Sequence, residues 1–345
     1  MGWNSWNHFG CSIDCDRQPF NCISQALLIQ MADAMVLAGM KYALFPRFPL
    51  GIKYVADYIH KRGLKFGIYQ DCGKQTCEGF PGSFGYEALD VKTFAEWGVD
   101  LLKLDGCYFP VDQMEAKYTQ WSQLLGNASR PMVFSCSWPT YADLKNMSVP
   151  WAKVASVCNL WREWIDIRDE WATILKIVDY QEEMKLAQWA RPGAWNDPDM
   201  LEVGNGGMTY DEYKSHFSLW AMMAAPLIAG NDIRTMSHET RTILTAREVI
   251  AVNQDPLGRQ GGRLRAQSGL EVWTRRLHDN SQAVLLWNRN TSRTNITVTW
   301  AEMGLASRTQ RVRNLWTESD EGTFVNAFTA PVEPHGVVMV KVSPT

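Results

Sequence analysis

A short apolar segment ending in paired charges holds the residues of this chain best suited to chemistry. Residues 99–108 read VDLLKLDGCY and place Lys103 and Asp105 two positions apart, just before Gly106. Residues two apart in a strand point to the same face, so both side chains should share one face at the strand's carboxyl end. Such an aspartate can act as a nucleophile, although a lone strand-end aspartate is more often a turn or cap residue.

The same arrangement of strand, polar end and helix recurs over about the first 255 residues. Strands alternating with helices predict a parallel sheet, and six or more such units fit a (β/α)8 barrel better than an open sheet. Catalytic residues of such barrels lie at the carboxyl ends of several strands. The residues predicted to follow strands are Tyr69, Asp105, Ser137, Arg162, Asp166, Asp199 and Asp232.

The spacing of apolar residues predicts the bounds of individual elements. Ser24 can cap a helix that ends at Gly39. The pattern also predicts a strand over 154–161 and a single helix over 239–252. These elements would carry the polar strand ends to one face of the sheet.

The pattern changes after Pro256, where short strand-like segments follow one another without helices between them. Such a run is typical of an all-β domain. We therefore expect a (β/α)8 catalytic domain over 1–255 and a C-terminal antiparallel β-sandwich domain over 256–345.

Composition and charge exclude several classes of partner. The chain has 345 residues and a net charge of -3, which argues against the basic face of a nucleic-acid-binding protein. The sequence contains no apolar run of the ~20 residues that a membrane span needs. Its 16 tryptophans serve mostly core packing, but tryptophan also stacks well on the apolar face of a sugar ring.

The cysteines and sequons indicate an oxidising compartment. The eight cysteines do not have zinc-ligand spacing and are better explained as disulfides. Four N-x-S/T sequons agree with secretion; they begin at Asn127, Asn146, Asn290 and Asn295. We therefore expect a lysosomal or secreted protein. Because Met1 leads directly into GWNSW without a signal-peptide pattern, we also expect that residues are missing from the N-terminus.

No cofactor or metal site is predicted. None of the six histidines falls in a motif with ligand spacing. A metal-dependent barrel hydrolase using Asp197 and Asp199 is therefore the weakest hypothesis.

Seven motifs, in order, resemble the α-galactosidase and α-N-acetylgalactosaminidase family of glycoside hydrolases, family 27. They are GWNSWNHFGC, LKFGIY, FAEWGVDLLKLDGCY, FSCSWP, CNLWR followed by Asp166, WNDPDM and VNQDPLG. The resemblance runs from Met1 to the C-terminus, and lysosomal animal members are the nearest likeness. It implies a retaining exo-glycosidase that acts on glycoconjugates, with a (β/α)8 domain, a C-terminal β domain, no cofactor, a homodimeric assembly and an acidic pH optimum.

The resemblance also implies roles for individual residues. Asp105 would be the nucleophile and Asp166 the acid/base, since retaining hydrolysis needs two carboxyl groups about 5–5.5 Å apart. Lys103 would keep Asp105 ionised and bind a sugar hydroxyl. The substrate-binding residues would be Trp6, Tyr69, Lys103, Ser137, Thr140, Tyr141, Arg162, Asp199 and Met200. Arg162 could equally be a buried ion-pair partner, and Asp197 fits a structural turn better than a substrate contact.

Ser137 and Thr140, in CSWPTY, predict the sugar. α-Galactosidases of the family resemble CEWPLY, in which Glu binds the sugar 2-hydroxyl, whereas α-N-acetylgalactosaminidases resemble CSWPAY. Two small side chains leave room for a 2-acetamido group, and Ser137 can hydrogen-bond it. We therefore expect terminal α-linked N-acetylgalactosamine as the substrate, with galactose also accepted because a roomy site rejects a smaller ligand poorly.

One family motif is missing. The strand after the first helix normally ends in Asp-Asp-Cys-Trp, whose aspartates bind sugar hydroxyls, but here GMKYAL passes directly to FPRFPLGI. An incomplete gene sequence or splice form, a repaired fold and an inactive relative remain as explanations. A carbohydrate-binding protein without catalysis, which would use Trp6, Tyr69 and Trp138 for stacking, is the rival function.

The missing motif also removes a cysteine that normally pairs with the counterpart of Cys11. The pairs that the family leaves intact match Cys15–Cys22, Cys77–Cys107 and Cys136–Cys158. Whether Cys11 pairs with the extra Cys72 stays open.

Overall fold

A computed structural model describes residues 1–37, 48–306 and 308–345. These residues form two compact units. The amino-terminal unit contains Asn4–Ile165 and Asn231–Met236, and the carboxy-terminal unit contains Met1–Trp3, Asp166–Gly230 and Ser237–Thr345.

Strands alternate with helices as far as residue 253 and then follow one another directly. The strands are β1 (Gly2–Trp3), β2 (Gly67–Asp71), β3 (Leu101–Asp105), β4 (Val133–Cys136), β5 (Leu160–Arg162), β6 (Trp195–Asp197), β7 (Ile228–Ala229), β8 (Gly262–Gln267), β9 (Leu270–Arg276), β10 (Gln282–Asn288), β11 (Thr294–Thr299), β12 (Thr309–Asn314), β13 (Ser319–Val325), β14 (Ala327–Val332) and β15 (Val337–Pro344). The helices are α1 (Trp6–Phe9), α2 (Gln25–Leu37), α3 (Gly51–His60), α4 (Glu87–Trp97), α5 (Met114–Gly126), α6 (Trp138–Leu144), α7 (Trp151–Val157), α8 (Trp171–Glu183), α9 (Tyr210–Met222), α10 (His238–Leu244) and α11 (Arg247–Asn253). The change of pattern confirms the all-β segment at the C-terminal end.

In the amino-terminal unit, β2, β3, β4 and β5 lie side by side in a parallel sheet. The register places Tyr69 opposite Lys103, and Asp71 opposite Asp105. Leu102 and Leu104 are fully buried, whereas Lys103 and Asp105 are partly exposed. Since side chains alternate along a strand, the two charged residues share one face, as predicted.

Local signals in the sequence set several helix ends. The Ser24 hydroxyl accepts the N–H of Leu27 at 3.2 Å, and α2 begins directly after Ser24. This contact satisfies one of the unpaired donors at a helix start, which confirms the predicted cap. Gly98 ends α4 with φ 82°, a conformation that glycine adopts without strain. The predicted end at Gly39 lies outside the described residues.

Two element predictions were wrong. Residues 151–157 form helix α7 directly after Pro150, and the predicted strand over 154–161 shrinks to Leu160–Arg162. Proline favours a helix start because its φ is preset and its missing N–H is not needed there; the helix then buries Val154 and Ala155.

The predicted helix over 239–252 is two helices, α10 and α11, with the backbone extended at Ala246. The Thr245 hydroxyl donates to the Arg241 carbonyl at 2.7 Å, where it competes with the helical pattern at that point.

The carboxy-terminal unit contains the β-rich segment. Six strands form an antiparallel sheet in the order β13-β12-β15-β10-β9-β8, and β11 pairs antiparallel with β14. Side chains from both sheets fill one core, including Val284, Leu286, Val298, Val312 and Phe328. A core between two antiparallel sheets is the arrangement of a β-sandwich.

Three disulfides lie within the described residues: Cys15–Cys22, Cys77–Cys107 and Cys136–Cys158. They confirm the pairs that the family resemblance implied. Cys72 is a buried free thiol, so it does not pair with Cys11. The segment GMKYAL, at the missing motif, falls on residues outside the described ranges. No helix among the described residues is long and apolar enough to cross a membrane.

Candidate active site

The predicted nucleophile, Asp105, is held at the end of β3 by three hydrogen bonds. The Tyr69 hydroxyl donates to Oδ2 at 2.8 Å, and the Tyr141 hydroxyl donates to Oδ1 at 2.7 Å. The backbone N–H of Gly106 also donates to Oδ1, at 2.9 Å. Each carboxylate oxygen therefore has a donor that fixes its direction, which is what a reacting carboxylate needs.

The sheet and one glycine bring these donors together. Tyr69 comes from the neighbouring strand β2, whereas Tyr141 comes from α6, which follows β4. A Cβ atom at Gly106 would lie 2.6 Å from Met114 Cε and 2.9 Å from Tyr141 Cε2. A side chain at this position would displace the Met114 side chain and the Tyr141 ring, so glycine leaves room for the ring beside the carboxylate.

The two tyrosines are donors rather than bases. Burial raises the pKa of both hydroxyls well above their usual value, and the negative charge of Asp105 beside them raises it further. Tyr69 and Tyr141 therefore keep their protons throughout the pH range of any biological compartment. The sequence predicted both residues as substrate contacts, but it did not predict that they bind Asp105.

Lys103 shares a strand face with Asp105, and its expected roles stay predictions. Among residues 1–37, 48–306 and 308–345, no ion pair links Lys103 to Asp105, although both side chains lie on the same strand face. The Asp105 carboxylate is bound by hydroxyls and a backbone N–H instead. The prediction that Lys103 binds a sugar hydroxyl stays a prediction.

Ser137 and Thr140, the predicted determinants of the sugar, lie at the start of α6. Both are buried, with exposed fractions of 4% and 8%. The Thr140 hydroxyl shares its proton between two backbone acceptors, the carbonyl of Trp164 at 2.9 Å and the carbonyl of Arg162 at 3.2 Å. Thr140 thus directs its polar atom to the backbone that follows β5.

Arg162, the last residue of β5, fixes the segment that leads to Asp166. Its guanidinium donates to the carbonyls of Trp164 at 3.1 Å and Ile165 at 2.8 Å. The side chain is 5% exposed. Arg162 therefore orders the two residues immediately before the predicted acid/base.

The predicted acid/base, Asp166, is the first residue of its segment in the carboxy-terminal unit and is exposed to solvent. The next residue, Ile167, donates its N–H to Asp199 Oδ2 at 3.1 Å. The N–H of Met200 donates to the other oxygen of Asp199 at 2.9 Å. The Asp199 carboxylate thus connects the Asp166 segment to the turn after β6.

Asp199 has an unusual backbone conformation. Its φ is 81°, in the left-handed region, which aspartate tolerates better than most residues. The Trp220 indole donates to the Asp199 carbonyl at 2.8 Å, and Asp197 Oδ1 accepts the N–H of Asp199 at 3.0 Å. This contact agrees with the turn-forming role expected of Asp197.

A second carboxylate supports the Asp166 segment. Asp169 accepts the Tyr213 hydroxyl at 2.8 Å and the N–H of Gly207. A Cβ at Gly207 would lie 2.0 Å from the Asp169 carbonyl oxygen, so glycine is required there. Burial raises the pKa of Asp169, although both hydrogen bonds oppose the rise. The sequence did not predict a role for Asp169, whose only signal is its position three residues after Asp166.

Trp6 is about half exposed to solvent. It begins α1 with 48% of its surface exposed, and its backbone N–H donates to Asn4 Oδ1 at 2.9 Å. Tyr69 is also exposed on one side, at 41%. Both therefore keep aromatic surface available for a ligand.

One group of side chains has the composition of a metal site. Oxygen or sulfur atoms of Asp71, Cys77 and Cys107 lie within 4.8 Å of one another. However, the two sulfurs are joined in a disulfide, and a metal needs thiolates as sulfur ligands. These residues do not fit a metal centre.

Comparison with known proteins identifies the family. The family described as "Alpha galactosidase A" matches residues 1–46 and 43–255, and that described as "Alpha galactosidase C-terminal beta sandwich domain" matches residues 267–342. The first match divides in the segment where the Asp-Asp-Cys-Trp motif is missing.

Individual relatives agree with this result. Alpha-galactosidase 2 of Arabidopsis thaliana is 43% identical over 98% of this chain and 88% of its own length. The alpha-N-acetylgalactosaminidase of Gallus gallus is 40% identical over 98% of this chain and 92% of its own length. The crystal structure of alpha-galactosidase I from Mortierella vinacea matches with a TM-score of 0.87 and 32% identity, covering 99% of this chain and 96% of that one.

The fold and these matches define a glycoside hydrolase with a (β/α)8 domain and a C-terminal β-sandwich, as the sequence predicted. The chain belongs to the α-galactosidase and α-N-acetylgalactosaminidase family, family 27.

Proposed function

We propose that this glycosidase removes terminal α-linked N-acetylgalactosamine from glycoconjugates by double displacement. Asp105 attacks the anomeric carbon, and the bond from that carbon to the leaving oxygen breaks as Asp166 protonates the oxygen. The covalent glycosyl ester on Asp105 is then hydrolysed by a water whose proton passes to Asp166. Both groups return to their starting protonation states, and the anomeric configuration is retained.

The observation that carries the nucleophile assignment is the set of donors around Asp105. Hydroxyls on both oxygens and the Gly106 N–H hold the carboxylate in one orientation without neutralising it by a proton. A carboxylate used only as a structural cap would not need two tyrosines from separate elements. Lys103, on the same strand face, is proposed to bind a sugar hydroxyl.

The proposed sugar follows from the small side chains at Ser137 and Thr140. The Thr140 hydroxyl donates to backbone carbonyls and so helps to fix α6. Its short side chain does not fill the space that a long side chain would occupy. Ser137 can donate to the oxygen of a 2-acetamido group. The further contacts in this proposal are Trp6, Tyr69, Tyr141, Arg162, Asp199 and Met200.

α-Galactosidase activity is the second candidate. Relatives named alpha-galactosidase from Arabidopsis thaliana and Cyamopsis tetragonoloba are 43% and 42% identical to this chain. A carbohydrate-binding protein with impaired catalysis is a further candidate, because the Asp-Asp-Cys-Trp motif is missing. Each charged hydrogen bond to the sugar that is lost with this motif would weaken binding by about 1.5–3 kcal/mol.

The test compares chromogenic α-N-acetylgalactosaminide and α-galactoside substrates at acidic pH, with Asp105→Asn as the inactive control. The proposal predicts turnover that favours the N-acetylated sugar and disappears in the control. The double variant Ser137→Glu/Thr140→Leu should shift the preference toward galactose by about 10–200-fold, the discrimination typical of small changes in a pocket. Turnover of galactoside alone by the natural sequence would establish the second candidate. Correct folding without turnover would indicate impaired catalysis.

We also propose a lysosomal or secreted location and a homodimeric assembly, with domain limits of 1–255 and 256–345. The three disulfides support an oxidising compartment. Light scattering of the purified protein would test the dimer, since a monomeric mass at micromolar concentration contradicts it.

A further inference from the structure

Asp71 is a buried carboxylate beside the proposed nucleophile that the mechanism above does not use. It ends β2, directly opposite Asp105 in the parallel register, and has no exposed surface. Its Oδ1 accepts the N–H of Gly73 at 2.7 Å, and its Oδ2 accepts the N–H of Cys107 at 2.9 Å. One side chain therefore holds the backbone after β2 and the backbone after β3.

The second of these bonds acts close to the reaction centre. Cys107 follows Gly106, whose N–H binds Asp105 Oδ1. The Cys107 side chain is joined to Cys77, and the N–H of Cys72 donates to the Asp105 carbonyl at 3.0 Å. The loops after β2 and β3 are thus connected through backbone, side chain and disulfide.

Gly73 makes the close approach possible. A Cβ atom at this position would lie 2.0 Å from the Cys107 carbonyl oxygen and 3.1 Å from Asp71 Oδ1. No other residue fits without separating the two loops. The contact between Asp71 and the loop after β3 is therefore sterically specified.

Burying the Asp71 carboxyl beside Asp105 costs free energy of folding, which argues against a purely structural role. Burial and the nearby charge of Asp105 together raise the pKa of Asp71 to about 7, although the hydrogen bonds from Gly73 and Cys107 oppose the rise. A stability-driven sequence would not place a second buried carboxyl beside Asp105. Strongly perturbed carboxyls of this kind concentrate at functional sites.

We propose that Asp71 is a positioning residue for Asp105: by holding the Cys107 N–H, it keeps the Gly106 N–H and the Asp105 carboxylate aligned for attack on the anomeric carbon. The role rests on the proposed function of Asp105 as the nucleophile. Asp71 itself does not touch the sugar in this proposal.

Asp71→Asn and Asp71→Ala separate positioning from binding. Asparagine has nearly the same shape as aspartate and keeps one hydrogen-bond acceptor, whereas alanine keeps none. We expect kcat and the rate of covalent labelling of Asp105 by a fluorinated glycosyl fluoride to fall about 10-fold in the asparagine variant and about 100-fold in the alanine variant, since a displacement near 1 Å costs about 10²-fold. KM should stay within about twofold of the natural sequence.

Glu87→Gln is the matched control. Glu87 is also a buried carboxylate, which binds Lys117 at 2.6 Å and accepts the N–H of Gly85, but it has no contact with Asp105. This control should lower the melting temperature while leaving kcat and the labelling rate unchanged.

The outcomes are distinguishable. Folded Asp71 variants with unchanged kcat and labelling rate overturn the proposal, as does a loss confined to KM. If neither Asp71 variant folds, the residue is assigned to folding and the proposal is also overturned. If the fluorinated reagent labels a residue other than Asp105, the nucleophile assignment itself fails, which is a separate result.

Discussion

The surroundings of the two proposed catalytic carboxylates differ in kind. Asp105 is partly buried and accepts hydrogen bonds directly from Tyr69, Tyr141 and Gly106. Asp166 is exposed, and hydrogen bonds of nearby residues help to order its segment: Ile167 binds Asp199, and Asp169 binds Tyr213.

This difference matches the two tasks in a double displacement. A nucleophile attacks one atom from one direction, so it gains from donors that fix its oxygens. An acid/base must give up a proton to the leaving group and later take one from water, so it gains from a position accessible to solvent. The hydrogen bonds to its oxygens should therefore control the rate at Asp105, whereas access to solvent and an ordered backbone should matter at Asp166.

The largest expected effect is at Asp105. Asp105→Asn should lower kcat by about 10⁴-fold or more, because the acceptor of the glycosyl group is lost. Asp105→Gly in the presence of azide should give a glycosyl azide of inverted, β configuration, which nuclear magnetic resonance identifies. An α-azide from this variant would contradict the assignment.

Asp166→Asn should lower kcat by about 10²–10⁴-fold on a substrate with a poor leaving group, the usual contribution of a general acid. A substrate with a strongly activated aryl leaving group should be cleaved with a much smaller loss in the first step, because it needs little protonation. Equal losses on both substrates, measured by burst kinetics, would show that Asp166 does not donate the proton.

Tyr141→Phe should lower kcat by about 10–100-fold, because a hydrogen bond to a charged group contributes about 1.5–3 kcal/mol. Tyr86→Phe is the control, since Tyr86 is 63% exposed and lies outside the hydrogen bonds of Asp105. Steady-state rates of the two variants on one aryl glycoside make the comparison. Equal rates would show that the Tyr141 hydroxyl does not assist the nucleophile.

Asp169→Asn should act more weakly and only on proton donation. Loss of about 1 kcal/mol of hydrogen bonding corresponds to about a fivefold slower reaction on poor leaving groups. Activated substrates should be unaffected in their first step. A uniform slowing of both substrates would mean that Asp169 supports the whole fold rather than the Asp166 segment.

The smallest effect concerns the pH dependence of stability. Because the folded-state pKa of Asp71 is about 7, above the usual 3.8, the folded state binds this proton more strongly than the unfolded state does. The contribution of Asp71 to stability is therefore complete below about pH 3.8 and is lost as the pH rises through about 7. Urea unfolding at pH 4.5 and 7.5 should show a smaller loss of stability in Asp71→Asn than in the natural sequence. An identical loss in both would mean that Asp71 is ionised throughout this range.

Local rules explain which predictions succeeded. Ser24 begins a helix and Gly98 ends one because capping depends on a single side chain or a single φ angle. The prediction over 154–161 failed because valine and alanine occur in both strands and buried helices, and only the position of Pro150 and the packing of Val154 distinguish them. Short apolar runs do not decide between these states.

The sequence by itself determined the family, the alternation of strands and helices and the placement of Lys103 and Asp105 on one strand face. The family resemblance then implied the three disulfide pairs. These properties depend on residue type, on short spacing or on family motifs that occur in a fixed order along the chain. Only the tertiary structure decided that Tyr69 and Tyr141 bind Asp105, and that Asp71 joins the loops after β2 and β3. Such contacts join residues 36 positions apart along the chain, and they exist because parallel strands bring their carboxyl ends to a common edge.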